Sequence, residues 1–181
     1  HTIAADMQIA ANGEQVLNQA EQHFGPVDIL VNSAGAAKRT APDDLNPEAW
    51  QAAMQAKYFS YIHMIDPTIK RMGQRGAGAI VNVIGAGGKV ASAIHIPGGA
   101  ANAALMLASA GLATAYAAQG IRVNTLSPGA VLTRRIAYRY NGEMPADLRK
   151  QLESKYLLGR IADPSELATG ALFLASDASS F

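Results

Sequence analysis

Three short runs rich in β-branched residues, each followed within two residues by glycine, proline or asparagine, are separated along the chain by much longer stretches of helical pattern. The runs cover residues 27–31, 79–84 and 121–126. An apolar, β-branched run that ends in a tight loop is typical of a strand buried on both faces of a parallel sheet. A weaker run at residues 2–6 predicts a further strand. Strands that alternate with helices predict a doubly wound α/β fold, with helices on both faces of the sheet.

The helical stretches carry clear end signals. Helices are predicted over residues 13–24, 46–71 and about 97–119, with another that begins after Asp163. Asn46 is suited to cap a helix start, and Gly120 is suited to end the alanine-rich third helix. Glu166, three residues after Asp163, completes the spacing of a capping box. The helices therefore have defined boundaries and alternate with the predicted strands.

Length and composition restrict the class of protein. A chain of 181 residues is long enough for one domain with a sizeable core. Hydrophobic residues make up 49% and charged residues 16%, as in globular rather than disordered proteins. The net charge is +1, and the scattered Lys and Arg residues form no basic patch for nucleic acid or an anionic membrane. We expect a small-molecule partner and no membrane span.

The absence of cysteine removes several kinds of site together. The sequence contains no Cys, which excludes disulfides, thiolate metal sites and cysteine nucleophiles. We expect no metal site. The expected compartment is the cytoplasm, because cysteine usage fits a reducing environment and the first residues do not have the pattern of a signal peptide.

Small and polar residues follow the carboxyl ends of the predicted strands. Ligands bind to open parallel sheets beyond these ends, and glycine there lets the backbone approach a nucleotide closely. The residues at these ends are Asp6, Asn32, Ser33, Ala34, Gly35, Gly85, Pro128 and Gly129. The alternative is that the glycines only turn the chain. Taken together, the set favours a nucleotide site.

Several segments, in order and at matching separations, resemble the short-chain dehydrogenase/reductase family. Residues 28–35 resemble the segment that closes a strand beneath the adenosine side of the cofactor, and residues 121–133 resemble the segment that lies against the nicotinamide. Asp6 stands where the family has an acid that touches the adenine. The resemblance covers nearly the whole chain. It implies one Rossmann-type domain over residues 1–181 that binds NAD or NADP, with Val131 and Thr133 among the cofactor contacts.

The glycine-rich phosphate loop of the family has no counterpart in this chain. Gly76-x-Gly78 and Gly85-x-Gly87 lack the third glycine of that motif. In the family, two strands lie between the counterparts of the strands predicted at residues 2–6 and 27–31, so this chain alone would leave a gap in its sheet. We therefore expect a partial domain, incomplete at both ends, from a longer gene product. The strand that selects NAD or NADP is missing, so that choice stays open.

The four positions that carry the family's catalysis hold other residues here. The family uses a Tyr, a Lys four residues later, a Ser thirteen residues before the Tyr, and an Asn on an upstream helix. Aligned without a gap, these positions are occupied by Gly98, Asn102, Gly85 and Lys57 respectively. The family's phenol reacts at neutral pH because a cation lowers its pKa from about 10. Glycine has no proton to donate, so the resemblance implies an atypical active site.

Other residues are candidates to replace the missing groups. His95 lies three residues before Gly98, and an imidazole titrates near neutral pH, so it is a candidate acid or base. The alternative is an exposed loop histidine. Lys57 is a candidate for the missing positive charge, although a lysine on a helix is more often solvated. Asn102 is a candidate to bind a cofactor ribose, and Ser92 has a weaker claim.

The family resemblance implies an NAD(P)-dependent oxidoreductase that acts on a small alcohol or carbonyl compound. The alternative is a catalytically inactive, nucleotide-binding regulatory or partner subunit. A third reading is an elimination or isomerisation in the inherited pocket. The helices after Asn46 and around residues 97–119 resemble those of the family's dimer contact, and their small residues allow close approach. A homodimer or homotetramer is therefore predicted.

Overall fold

A computed structural model of the protein describes residues 1–35, 37–134 and 144–180. Within that part of the chain, three parallel strands form one sheet in the order β1, β2, β3. They are β1 (Ile29–Asn32), β2 (Gly78–Val83) and β3 (Ile121–Leu126). Each is followed by a loop at the same edge of the sheet. The prediction of a parallel α/β fold is confirmed.

Six α-helices are described; the bounds of those that were predicted differ by only a few residues, and the helix at Ala146–Glu153 was not predicted. They are α1 (Ala10–Phe24), α2 (Pro47–Ala53), α3 (Ser60–Arg75), α4 (Ile96–Tyr116), α5 (Ala146–Glu153) and α6 (Pro164–Ala175). A wide π-helical turn, Met54–Phe59, joins α2 to α3. The helix predicted over residues 46–71 is therefore longer than expected and contains an irregularity in its first half.

The predicted helix ends are confirmed by hydrogen bonds. The Asn46 side chain accepts a 2.8 Å bond from Ala49 N at the start of α2. Asp163 and Glu166 form a reciprocal capping box at the start of α6. Gly120 adopts φ 72°, a left-handed conformation that a helix end commonly requires, after a short 3₁₀ turn. These local signals position the loops that carry the site.

The core lies on the face of the sheet that α3 and α4 cover. Side chains alternate between the two faces of a strand, so Ile80 and Asn82 face α3 and α4, while Val81 and Val83 face α6. Both Ile80 and Val81 are fully buried, because β2 is the central strand. From α3 the core receives Tyr61, Ile65, Ile69 and Met72, and from α4 it receives Leu105. The doubly wound arrangement is thus confirmed at β2.

The strand predicted at residues 2–6 is wrong. These residues are irregular, and a turn follows in which Gln8 N donates to the Asp6 carboxylate at 2.9 Å. The physical reason is that no strand in the described part of the chain lies beside them, and an unpaired strand leaves its backbone donors and acceptors without partners. β1 is the edge strand in its place, and its Ile29 and Val31 are about half exposed.

The alanine-rich segment Ile96–Gln119 is long and apolar enough to cross a membrane by length and composition alone. The sequence analysis found no such run. In the fold, this segment packs against β3 and the core, and Ala101 and Leu105 are fully buried. Two polar residues, Asn102 and Ser109, are buried on the same side. α4 is therefore placed as a core helix of the domain.

Candidate functional site

Three contiguous cavities lie at the carboxyl edge of the sheet. The apolar cavity, 740 Å³, lies between β1 and α6 and is walled by residues such as Val31, Leu167 and Leu172. The lid cavity, 710 Å³, lies between the loop after β2, the loop after β3 and α5. The small cavity, 250 Å³, is lined by both Lys57 and His95. Shared lining residues join the three into one site.

Most of the predicted cofactor residues are brought together at these cavities. Ser33, Ala34, Gly35, Pro128, Val131 and Thr133 line the apolar cavity, and Gly129 lines the lid cavity. The loops after β1 and β3 therefore face each other across one opening, as expected at the carboxyl ends of parallel strands. Asp6 is different, because it is exposed on the first loop and is not among the residues that line the three cavities. Its contact with adenine stays a prediction.

The Asn32 side chain is turned into the protein. Its amide donates to Asn82 Oδ1 at 2.9 Å, Asn82 Nδ2 donates to Ser109 Oγ at 3.0 Å, and Ser109 Oγ donates to Leu105 O at 2.7 Å. All three side chains are buried. Because buried polar groups are costly when unpaired, this chain of hydrogen bonds fixes β1, β2 and α4 against one another. The position of Asn32 next to the cavities is thus fixed by its hydrogen bond to the buried Asn82.

Lys57 lies in the π-helical turn and is buried, with 8% of its surface exposed. Its ammonium donates to Ala34 O at 3.1 Å, Val83 O at 3.2 Å and the Tyr61 hydroxyl at 2.7 Å. The side chain also packs on Gly35, where a Cβ would lie 3.1 Å from Lys57 Cδ. A solvated helix lysine, the alternative that the sequence left open, is therefore not what the structure contains.

Tyr61 holds Lys57 in place. Burial raises the pKa of the Tyr61 phenol, so the hydroxyl stays protonated. It donates a 2.6 Å hydrogen bond to Val83 O. Tyr61 is not among the residues that line the three cavities. It is therefore placed to position Lys57 rather than to contact a ligand in these cavities. The sequence analysis missed it because the family's pair places the lysine four residues after the tyrosine, whereas here the lysine precedes the tyrosine by four.

His95 fills the space beside Gly98. A Cβ built on Gly98 would lie 2.2 Å from His95 Cε1, 2.4 Å from Nε2 and 2.8 Å from Nδ1. The glycine is buried in the first turn of α4, and the imidazole lines both the lid cavity and the small cavity. The imidazole thus stands where a side chain at position 98 would begin. The exposed-loop alternative for His95 does not describe this half-buried ring.

A short turn aims His95 at the cavities. His95 N donates to Ser92 O at 2.9 Å, and Gly99 N donates to His95 O at 2.8 Å, so the residue is fixed on both sides by backbone bonds. Ser92 also lines the lid and small cavities. The spacing of three residues between His95 and Gly98 was visible in the sequence. That the ring would fold back over the glycine was not.

Asn102 is buried one helical turn beyond Gly98, with 7% of its surface exposed. Its Oδ1 has no hydrogen-bond donor within the described part of the chain. Its amide nitrogen faces the two glycines of the loop after β2, since a Cβ would lie 3.7 Å away on Gly85 and 3.4 Å away on Gly87. A buried acceptor without a donor is rare in native proteins, so Asn102 Oδ1 is suited to a donor on a ligand.

The lid cavity is closed on its far side by Tyr156. The Tyr156 hydroxyl accepts a 2.8 Å bond from Ala130 N, and its ring lies on Gly129, where a Cβ would come within 2.8 Å of Cε1. Tyr156 thereby ties the segment after α5 to the loop that follows β3. The sequence analysis did not identify this contact, because nothing in the spacing relates residue 156 to residue 129.

Comparison with known proteins places this architecture among dehydrogenases. The sequence model of a family described as enoyl-(acyl carrier protein) reductase matches residues 1–181. A D-threitol dehydrogenase of Mycolicibacterium smegmatis is 34% identical over 175 residues, which are 97% of this chain and 66% of the relative. The chain spans about two thirds of the length of the curated relatives it matches.

Solved structures agree with the sequence relatives. An oxidoreductase of the short chain dehydrogenase/reductase family from Burkholderia thailandensis is 29% identical, with a TM-score of 0.85 over 98% of this chain and 66% of that chain. A gluconate 5-dehydrogenase from Burkholderia cenocepacia, in complex with NADP and tartrate, is 28% identical, with a TM-score of 0.88 over 98% of this chain and 68% of that chain.

Proposed function

The chain belongs to the short-chain dehydrogenase/reductase family, and on that premise we propose that the whole protein is an NAD(P)-dependent oxidoreductase with an atypical active site. Its substrate is a small alcohol or carbonyl compound. The observation that carries the proposal is the imidazole of His95, which stands over Gly98 at the junction of the lid and small cavities.

Proton transfer is the role we assign to His95. Oxidation of an alcohol removes a hydride from carbon and a proton from oxygen, and the reverse reaction returns both. The proton therefore needs an acid or base within reach of the substrate oxygen. Gly85 and Gly98 have no such group, whereas an imidazole accepts and donates protons near neutral pH. Among the described residues that line the lid and small cavities, His95 is the one histidine, and its side chain meets this need.

Lys57 supplies positive charge at the same place. Its ammonium is held by Ala34 O, Val83 O and Tyr61, and the side chain lines both the apolar and small cavities. A fixed, poorly solvated cation stabilises negative charge that develops on a nearby oxygen. Because the three N–H groups of its ammonium already donate to the protein, we assign Lys57 to the positioning of the Ala34–Gly35 backbone and to the positive potential of the small cavity, not to a direct contact with the substrate.

The residues present fit a nicotinamide dinucleotide. The loops after β1 and β3 face each other at the carboxyl edge of the sheet, where open parallel sheets bind nucleotides, and small residues such as Ala34, Gly35 and Gly129 line the opening. The buried Asn102 Oδ1, without a donor in the described chain, suits a ribose hydroxyl. The gluconate 5-dehydrogenase structure holds NADP. When bound, NAD or NADP would supply or accept the hydride. Asn102, Gly35 and the loop at Pro128–Gly129 would hold the nucleotide.

The second candidate function is a nucleotide-binding subunit without turnover. Gly85 and Gly98 favour it, because both lack a side chain where the family resemblance implies Ser and Tyr. Such a subunit would regulate or complete a partner.

We also propose a homodimer or homotetramer in the cytoplasm, formed through the outer side of α4. Leu107 and small residues are exposed on that side of the helix, which permits close helix packing.

Replacement of His95 tests the function. In the intact protein, His95→Ala should lower carbonyl reduction by roughly a hundredfold, the typical loss when a general acid or base is removed, while nucleotide affinity stays unchanged. His23→Ala is the matched control, because His23 is exposed on α1, far along the chain from the site.

The assay would use a panel of small carbonyl compounds with NADH and NADPH, and nucleotide binding would be measured by calorimetry. Unchanged turnover in His95→Ala would remove the histidine mechanism. Nucleotide binding with no turnover of any compound by the wild-type protein would favour the non-catalytic subunit.

A further inference from the structure

The lid and small cavities are walled by positive charge. Arg39 lines both, Lys57 lines the small cavity and Lys155 lines the lid cavity. Among the described residues that line either cavity there is no aspartate or glutamate. Arg39 and Lys155 are exposed, and neither forms an ion pair within the described part of the chain. Their charges are therefore available to a ligand.

Arg39 is carried close to the proposed proton-transfer group. Thr40 N donates to Ile94 O at 3.1 Å, so the loop after β1 is tied to the loop that carries His95. Arg39 and His95 line the same small cavity of 250 Å³. A molecule of a few carbon atoms that fills the small cavity can therefore contact both Arg39 and His95.

We propose, on the basis of the proposed function, that the substrate is a short hydroxy acid or oxo acid whose carboxylate binds Arg39. The guanidinium presents a planar fork of N–H donors that matches the two oxygens of a carboxylate. The reacting alcohol or carbonyl oxygen then faces His95. Lys155, on the opposite wall of the lid cavity, adds attraction for the anion without a fixed geometry. Uncharged alcohols are poorer substrates for this site.

The test separates anion recognition from catalysis. Turnover of 4-oxopentanoate is compared with that of its uncharged amide, 4-oxopentanamide, by the intact protein. Binding of two unreactive probes, isobutyrate and isobutyramide, is measured by calorimetry on the nucleotide-loaded protein. We expect about a tenfold preference for the anion in both measurements, the size of one charge-assisted hydrogen-bonded contact. High salt should reduce the preference because it screens exposed charges.

Variants at Arg39 locate the contact. Arg39→Gln should abolish the preference, and Arg39→Lys should retain part of it, because charge remains but the fork is lost. Lys38→Gln is the matched control, because it removes the same charge from the neighbouring residue. The Lys38 side chain is exposed and lines neither cavity. It should leave the preference intact. Binding of inorganic phosphate, the third unreactive probe, is measured in the same way on the wild-type protein and on Arg39→Gln.

Each outcome decides one of the two proposals. Equal binding of isobutyrate and isobutyramide overturns the substrate proposal even if carbonyl compounds are turned over. A preference for isobutyrate that Arg39→Gln abolishes supports it even if no compound is turned over, in which case only the catalytic function fails. Tighter binding of phosphate than of isobutyrate, lost in Arg39→Gln, overturns the carboxylate assignment in favour of a phosphorylated ligand.

Discussion

Two polar groups at the carboxyl edge of the sheet are buried to the same degree but held differently. Lys57, on the α2–α3 side, has three hydrogen bonds to neighbouring groups. Asn102, on α4, has an Oδ1 for which the described chain provides no donor. The first group is held by the protein itself, whereas the second is left with an acceptor for a ligand. The lysine should therefore contribute to stability, and the α4 group, Asn102 with His95, to ligand binding and turnover.

The largest effect is expected at Gly98. In Gly98→Ala the new Cβ would overlap three ring atoms of His95, so the imidazole must leave the cavity wall, and turnover should fall by roughly a hundredfold, as in the loss of a general acid or base. Gly170→Ala, in the middle of α6, is the control, because it lies outside the proposed helix contact between subunits. Its Cβ would make only ordinary van der Waals contact, 3.5 Å from Leu126 Cδ1, and alanine should stabilise the helix by roughly 0.5–1 kcal/mol.

Both variants would be compared by steady-state kinetics and by urea unfolding. If Gly98→Ala keeps the wild-type rate, the place of the imidazole over Gly98 is irrelevant to the reaction. In that case the contrast between the two polar groups would no longer concern catalysis.

A smaller effect, on stability, is expected at Lys57. Lys57→Met removes three hydrogen bonds, one of which is to the part-buried Ala34 O, so the free energy of unfolding should fall by roughly 1–3 kcal/mol. Lys70→Met removes a similar side chain from an exposed pair with Asp66, and should change it by under about 0.5 kcal/mol. Urea unfolding measures both, and equal losses would show that Lys57 is not held as the structure indicates.

The smallest effect is expected at Asn102. Asn102→Leu should weaken nucleotide binding by about tenfold, the loss of one hydrogen bond or slightly more, with little change in stability. Ser109→Ala, two turns further along α4, should show the reverse, because it leaves the buried Asn82 amide without its 3.0 Å acceptor and does not touch the cavities. Calorimetric nucleotide titration and urea unfolding would be run on both. Loss of stability without loss of affinity in Asn102→Leu would erase the distinction between the two groups.

The sequence predicted elements whose boundaries are set by local chemistry. β3 has the predicted bounds, Ile121–Leu126, because a run rich in β-branched residues between Gly120 and Pro128 leaves few alternatives. The capping box of α6 was visible as Asp163 and Glu166. The strand predicted at residues 2–6 failed for a non-local reason, since a strand exists only where another strand pairs with it.

The candidate site was predictable in its membership but not in its contacts. His95, Lys57 and Asn102 could be selected because a family alignment shows which positions face the cavity. That Lys57 is held by Tyr61, and that the His95 ring lies over Gly98, depends on side-chain conformations and on the wide turn of the helix. Neither contact follows from the family's spacing, in which a lysine stands four residues after a tyrosine.

The π-helical turn at Met54–Phe59 gives this site an unusual evolutionary freedom. A single wide turn is equivalent to one residue inserted into an α-helix, and successive residues of an α-helix differ by about 100° around its axis. Deletion of one residue from the turn would therefore rotate a different side chain into the place of Lys57, while the core positions of α3 that follow, such as Ile65 and Ile69, would keep their contacts. A change of one codon in length could thus exchange the residue that faces the cavity without any repacking of the interior.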